Sequence, residues 1–70
     1  MIVAKTRVLE RERVRRGLNK KELAVGAGVD RSSIVRAEQG LPVSPRTSKK
    51  LCDFLGMPLE ELFSLSDKEA

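Results

Sequence analysis

Between Leu23 and Ile34 the chain reads LAVGAGVDRSSI, and this stretch limits the fold more than any other. Apolar residues at helical spacing approach it from both sides, yet Gly26 and Gly28 stand where a helix is weakest. A residue in the left-handed conformation closes a helix, and Gly28 follows Ala27 at such a place. Asp30 then has the position of an N-cap, and Val29 and Ile34 have the spacing of a hydrophobic staple. The stretch is therefore expected to be a tight turn between two helices. Gly26, inside the first of them, should cost about 1 kcal/mol against alanine, so Gly26→Ala is expected to stabilise the chain.

The surrounding punctuation extends the pattern. A first helix is expected over about Thr6 to Arg16, bringing Leu9, Arg13 and Val14 near one another and ending at Gly17. Asn19 and Glu22 have capping-box spacing, and Leu18 and Leu23 have staple spacing, so a second helix starts there. Its buried stripe is Leu23, Ala24 and Ala27. The third runs to Gln39 and stops at Gly40, with Ile34, Ala37 and Glu38 on one side and Ser32, Val35, Arg36 and Gln39 on the other. Ser44 as N-cap and Pro45 behind it start a fourth helix, which buries Leu51, Cys52 and Leu55 and ends at Gly56. Pro58 starts a short fifth that closes the core with Leu59, Leu62 and Phe63. Strand-like runs are missing beyond Ile2-Val3, so the expected class is all-α.

Seventy residues make one small domain with a marginal core. No apolar stretch suits a signal peptide or a membrane span, which leads to the expectation of a soluble, cytoplasmic chain. One cysteine, Cys52, allows no internal disulfide, and the absence of histidine removes the usual zinc spacings, so no metal or other cofactor is expected. Histidine-dependent nucleophile and base arrangements are missing as well, and the chain is not expected to be an enzyme.

Charge is strongly segregated. Residues 1–50 hold thirteen Lys or Arg against five Asp or Glu, while residues 51–70 hold one against five. A basic face of this kind suits phosphate, because each cation can replace a counterion on a polyanion, although a merely solvated face has the same composition. Binding to a membrane surface is disfavoured, since no wide exposed apolar face accompanies the cations.

The segment RGLNKKELAVGAGVDRSSIVRAEQG resembles the Cro and phage-repressor type of helix-turn-helix domain, also called the Xre family. The family pattern falls on Arg13, Gly17-Leu18, Leu23-Ala24, Gly28-Val29, Arg31-Ser32-Ser33-Ile34 and Glu38-Gln39-Gly40, and it continues through PVSPRT and LCDFLGMPLEEL. The resemblance covers about Val8 to Phe63. It implies a compact bundle of about five short helices of the lambda-repressor-like type, helices two and three forming the helix-turn-helix. Residues 1–5 and 64–70 are then an N-terminal extension and a C-terminal tail, both expected to be flexible. Ile2-Val3 could instead extend helix one, form a basic arm or join a dimer contact.

The function that the resemblance implies is sequence-specific binding of double-stranded DNA by a transcriptional regulator, with a repressor expected. Helix three would lie in the major groove and helix two across the backbone. Arg31, Ser32, Val35 and Arg36 are the expected base contacts. Lys20, Lys21, Ser33, Gln39 and Arg46 are the expected phosphate contacts. Lys20 stands where the family usually has glutamine, and it can meet a phosphate as a point charge without reproducing an amide's paired bonds. Arg13 and Glu38 resemble the family's internal ion pair. A homodimer on a two-half-site operator is possible, although no long dimerisation helix is visible. The alternative is a protein-interaction module on the same fold, such as an antitoxin or antirepressor component, which exposed Val25 and Val35 would suit.

Overall fold

The computed structural model describes residues 1–65 of the chain. Five helices, α1 (Thr6–Arg15), α2 (Lys20–Ala27), α3 (Arg31–Glu38), α4 (Pro45–Leu55) and α5 (Leu59–Leu62), are joined by three very short strands, β1 (Ile2–Ala4), β2 (Pro42–Val43) and β3 (Phe63–Leu65). The bundle is mostly helical and the all-α expectation holds roughly, corrected only by the addition of a small three-stranded antiparallel sheet of order β2-β1-β3.

Local chemistry sets the helix ends. The Asn19 side chain accepts from the Glu22 amide at 2.7 Å and the Glu22 carboxylate accepts from the Asn19 amide at 2.8 Å, so both halves of the capping box are made. Gly28 has φ 76°, and its amide and that of Val29 each donate to the Ala24 carbonyl at 2.9 Å. These bonds satisfy carbonyls that the helix end would leave open and turn the chain directly into α3. Asp30 occupies the N-cap position of α3 without a side-chain cap bond. Ser44 caps α4 by accepting from the Thr47 amide at 3.1 Å, with Pro45 beginning the helix.

Leu9, Leu23, Ile34, Leu51, Leu62 and Phe63 form the centre of the core, closed by Ala4, Ala24, Ala37, Cys52 and Leu55. Leu18, Ala27 and Val29 pack against it from the flanks. The small alanines let α2 and α3 approach closely. Val14, expected beside Leu9 and Arg13, is instead exposed, because it stands on the outward side of α1. Burial pushes the Cys52 thiol up from its ordinary range, and the charges of Asp53 and Glu60 add to this, consistent with a small core residue.

The expectation of a flexible extension at residues 1–5 is also corrected. Ile2–Ala4 form the central strand of the sheet, pairing Ile2 with Val43 on one side and Ile2, Val3 and Ala4 with Leu65, Ser64 and Phe63 on the other. Ala4 is buried, and the Lys5 amide donates to the Leu62 carbonyl at 2.9 Å. Ile2-Val3, which could have extended helix one or formed an arm, is held by this ladder. In the expected tail, Ser64 and Leu65 belong to β3, and residues 66–70 lie outside the described residues.

Candidate nucleic-acid interface

The capping box and the Gly28 turn bring two helix starts together. Asn19, Lys20 and Lys21 from the start of α2, Arg31 from the start of α3 and Arg13 from α1 line one shallow concavity. Arg13 is committed within it. Its Nε donates to Glu38 at 2.6 Å, its Nη2 to the same carboxylate at 3.1 Å, and its Nη1 to the Leu18 carbonyl at 2.9 Å. The two side chains are only 12% and 8% exposed, and the Glu38 bond raises the Arg13 pKa above its ordinary value. The pair ties α1 to the last turn of α3 and fixes the angle at which α3 is presented.

Lys20, Lys21 and Arg31 are differently placed. Among the described residues none of the three has an ion-pair partner. The N-termini of α2 and α3 add their partial positive charge to these cations. An unpaired cationic cluster at two helix starts, where the dipoles already disfavour cations, is suited to hold an anion.

A second concavity lies on the other flank of the α3 start, lined by Gly28, Val29, Asp30, Ser33, Arg46, Thr47 and Lys50. It brings Ser33 and Arg46 together and adds Lys50, which the sequence reading did not single out. Lys50 Nζ donates to the Gly28 carbonyl at 3.3 Å. Its four-residue spacing from Arg46 puts both cations on one face of α4, which was the available signal.

Ser32 is exposed beside Arg31, whereas Val35 is half-buried and less available than expected. Arg36 and the C-cap Gln39 stand toward the far end of α3, about 7.5 Å and about 12 Å along its axis from Arg31 at the helical rise of about 1.5 Å per residue. Arg36 also reaches away from the cluster, with Nη2 donating to the Pro42 carbonyl at 3.3 Å. The sequence-derived residues thus separate into a group around the α3 start (Lys20, Lys21, Arg31, with Ser33 and Arg46 on the other flank) and a pair at its end.

A further network was missed entirely. Glu12 is buried on α1 and accepts from Arg16 at 2.7 Å and Arg15 at 3.3 Å, while Arg16 also donates to the Leu55 carbonyl at 2.8 Å. The Arg16 bond holds the Glu12 carboxyl below its ordinary pKa. This network joins the end of α1 to the end of α4, away from the cationic concavity, so its role is structural.

No cluster of three or more metal-ligating side chains occurs among the described residues, and no described helix is long and apolar enough to cross a membrane. A family model described as Helix-turn-helix matches residues 9–62. The chain matches no curated protein.

Proposed function

For a chain that belongs to the Cro/C1-type, Xre-like helix-turn-helix family, we propose sequence-specific binding of double-stranded DNA in transcriptional regulation, with repression as its outcome. The observation that carries this reading is the convergence of Lys20, Lys21 and Arg31 at two helix starts with no carboxylate partner among the described residues. Helix α3 enters the major groove, and Arg31, Ser32, Val35 and Arg36 meet base edges. Arg31 leads this set, because its fork matches the two acceptors of guanine. Arg36 must release the Pro42 carbonyl to take part, and Val35 offers only part of its surface to a thymine methyl group.

Lys20 and Lys21 on one flank, and Ser33 and Arg46 on the other, hold phosphates on both sides of the groove, with Gln39 at the far end of α3. Lys50 extends the Arg46 flank. The protein acts as a homodimer on a two-half-site operator, in the cytoplasm, without catalytic function. The interaction-module reading keeps one observation in its favour: Val25 is 74% exposed and adjoins Phe54, 41% exposed, in a shallow groove that meets the Arg31 concavity along Asn19 and Lys21.

A titration of labelled duplex at several salt concentrations separates the two. DNA binding predicts a log-log slope of about −4 for each half-site, from the four cations Lys20, Lys21, Arg46 and Lys50 at about −0.9 each, and about −7 for the dimer on both half-sites. An interaction module predicts no binding that depends on duplex.

A further inference from the structure

Two surfaces meet at the start of α2. The cationic concavity around Arg31 shares Asn19 and Lys21 with a groove lined by Leu18, Val25, Gly26 and Phe54. One end of the joint surface is charged and the other is apolar. Lys21 and Val25 are four residues apart, about 6 Å along the helix, so both ends stand on one face of α2.

The apolar end depends on Gly26. A Cβ there would stand 2.6 Å from Cζ of Phe54, so the ring from α4 lies over the α2 backbone at a position that has no side chain. Phe54 nevertheless stays 41% exposed, and Val25 is 74% exposed. Scattered exposed apolar side chains need no explanation, but an aromatic and a β-branched side chain sharing one groove form a recognition surface.

The charged end has no free acid. Glu22 is the only carboxylate lining either part, and the capping box turns it onto the Asn19 amide at 2.8 Å. Lys20, Lys21 and Arg31 have no ion-pair partner among the described residues, and the helix start adds to their positive charge. DNA accounts for this end alone. Phosphates satisfy the cations, but a sugar-phosphate backbone has no large apolar group to seat between Val25 and Phe54. A polypeptide carries both kinds of group, as carboxylates and as a leucine or phenylalanine anchor.

We propose that the joint surface docks an acidic segment of a partner protein, with one large apolar side chain between Val25 and Phe54 and carboxylates on Lys20, Lys21 and Arg31. The carboxylates take the cations that hold phosphate, so partner and duplex exclude each other. The concentration of the partner then sets how much of the chain is free for DNA. The apolar anchor supplies a buried contact that DNA lacks, which lets a short segment compete with a polyanion. The exclusion rests on the DNA-binding reading above, whereas the docking surface does not.

Short random peptides displayed on phage and selected on the immobilised full chain supply the probe. Enriched peptides should combine Asp or Glu with Leu, Phe or Met, and unlabelled duplex should release them. In fluorescence anisotropy with the labelled peptides, Val25→Ser should lower affinity about tenfold or more, the scale of burying one valine. The same variant should leave duplex affinity within about twofold, since it removes no phosphate contact. Lys21→Gln should weaken the peptides about twofold to fivefold and weaken duplex binding as well. Both positions are exposed, and circular dichroism checks that the variants keep their helices.

No enrichment, enriched peptides that lack either the acidic or the apolar residues, peptide binding undiminished by Val25→Ser, or peptide and duplex bound together would each overturn the proposal. Self-association in sedimentation equilibrium that Val25→Ser abolishes would give the groove to a second copy and overturn it too. A parent chain that binds the peptides with this Val25 dependence but binds no duplex would uphold the docking surface and refute only the DNA-binding reading.

Discussion

Gly26→Ala tests how α2 and α4 fit together, because the structure cancels or reverses the gain that helix propensity alone predicts. Gly26 is inside α2, and on helix propensity alone the alanine should gain about 1 kcal/mol. A Cβ there would stand 2.6 Å from Cζ of Phe54, 2.8 Å from Cε1 and 3.3 Å from Cε2. Carbon atoms rest at about 3.5–4.0 Å, so the ring must withdraw by about 1 Å. Phe54 is 41% exposed, which lets it swing outward instead of straining the backbone, at the loss of its contact with α2. Overpacking costs about 1–3 kcal/mol, so the net effect in the parent chain is between neutral and about 2 kcal/mol destabilising. In a Phe54→Ala background the obstacle is gone and the gain of about 1 kcal/mol returns. Urea unfolding of the parent, both single variants and the double variant measures the coupling directly. Equal stabilisation by Gly26→Ala in both backgrounds would refute the reasoning.

Gly28→Val should lower stability by more than about 1 kcal/mol, since φ 76° suits a β-branched residue poorly; no atom lies within 4 Å of the added Cβ, so an unchanged thermal midpoint would show that the backbone relaxes freely. Arg13→Ala and Glu38→Ala should each cost about 2–4 kcal/mol by leaving a shielded charge without its partner. Their double variant should cost less than the sum, and strict additivity in denaturant unfolding would contradict the pairing. For Glu12, whose folded pKa is lowered chiefly by Arg16, the stabilisation is fully present above the unfolded value of about 4.3 and is lost as pH falls through the folded value. Glu12→Gln should therefore flatten the acid limb of the stability curve, and an unaltered limb would assign acid unfolding to other carboxylates.

What the sequence made legible was local chemistry. Asn19 with Glu22, the Gly28 closure and Ser44 with Pro45 each specify a helix end within a few residues, and all appear where expected. The strands were hidden because each has only two or three residues, too few to show alternation, and because Ile2–Ala4 finds its partners some forty and sixty residues away. Val14 went wrong for a similar reason: its helical position borders the buried side, and only tertiary packing decides that Arg13 and Glu12 are covered instead. In the site, the grouping of Lys20, Lys21 and Arg31 followed from the two helix starts. Lys50 and the turning of Arg36 toward Pro42 depend on how α4 and β2 close over the ends of α3, which local spacing does not encode.

The central claim, that α3 reads bases while α2 holds the backbone, is tested most directly by comparing Arg31→Ala with Lys20→Ala. Fluorescence anisotropy would follow each variant on a preferred duplex, selected from a random library, and on a random duplex, at several salt concentrations. Arg31→Ala should lose about 1–3 kcal/mol on the preferred duplex and much less on the random one, so the ratio of the two affinities collapses. Lys20→Ala should weaken both alike and reduce the salt slope by about 1 for each half-site. Equal weakening of both duplexes by Arg31→Ala would contradict base reading through that residue, and a parent chain that binds neither duplex would contradict the account as a whole.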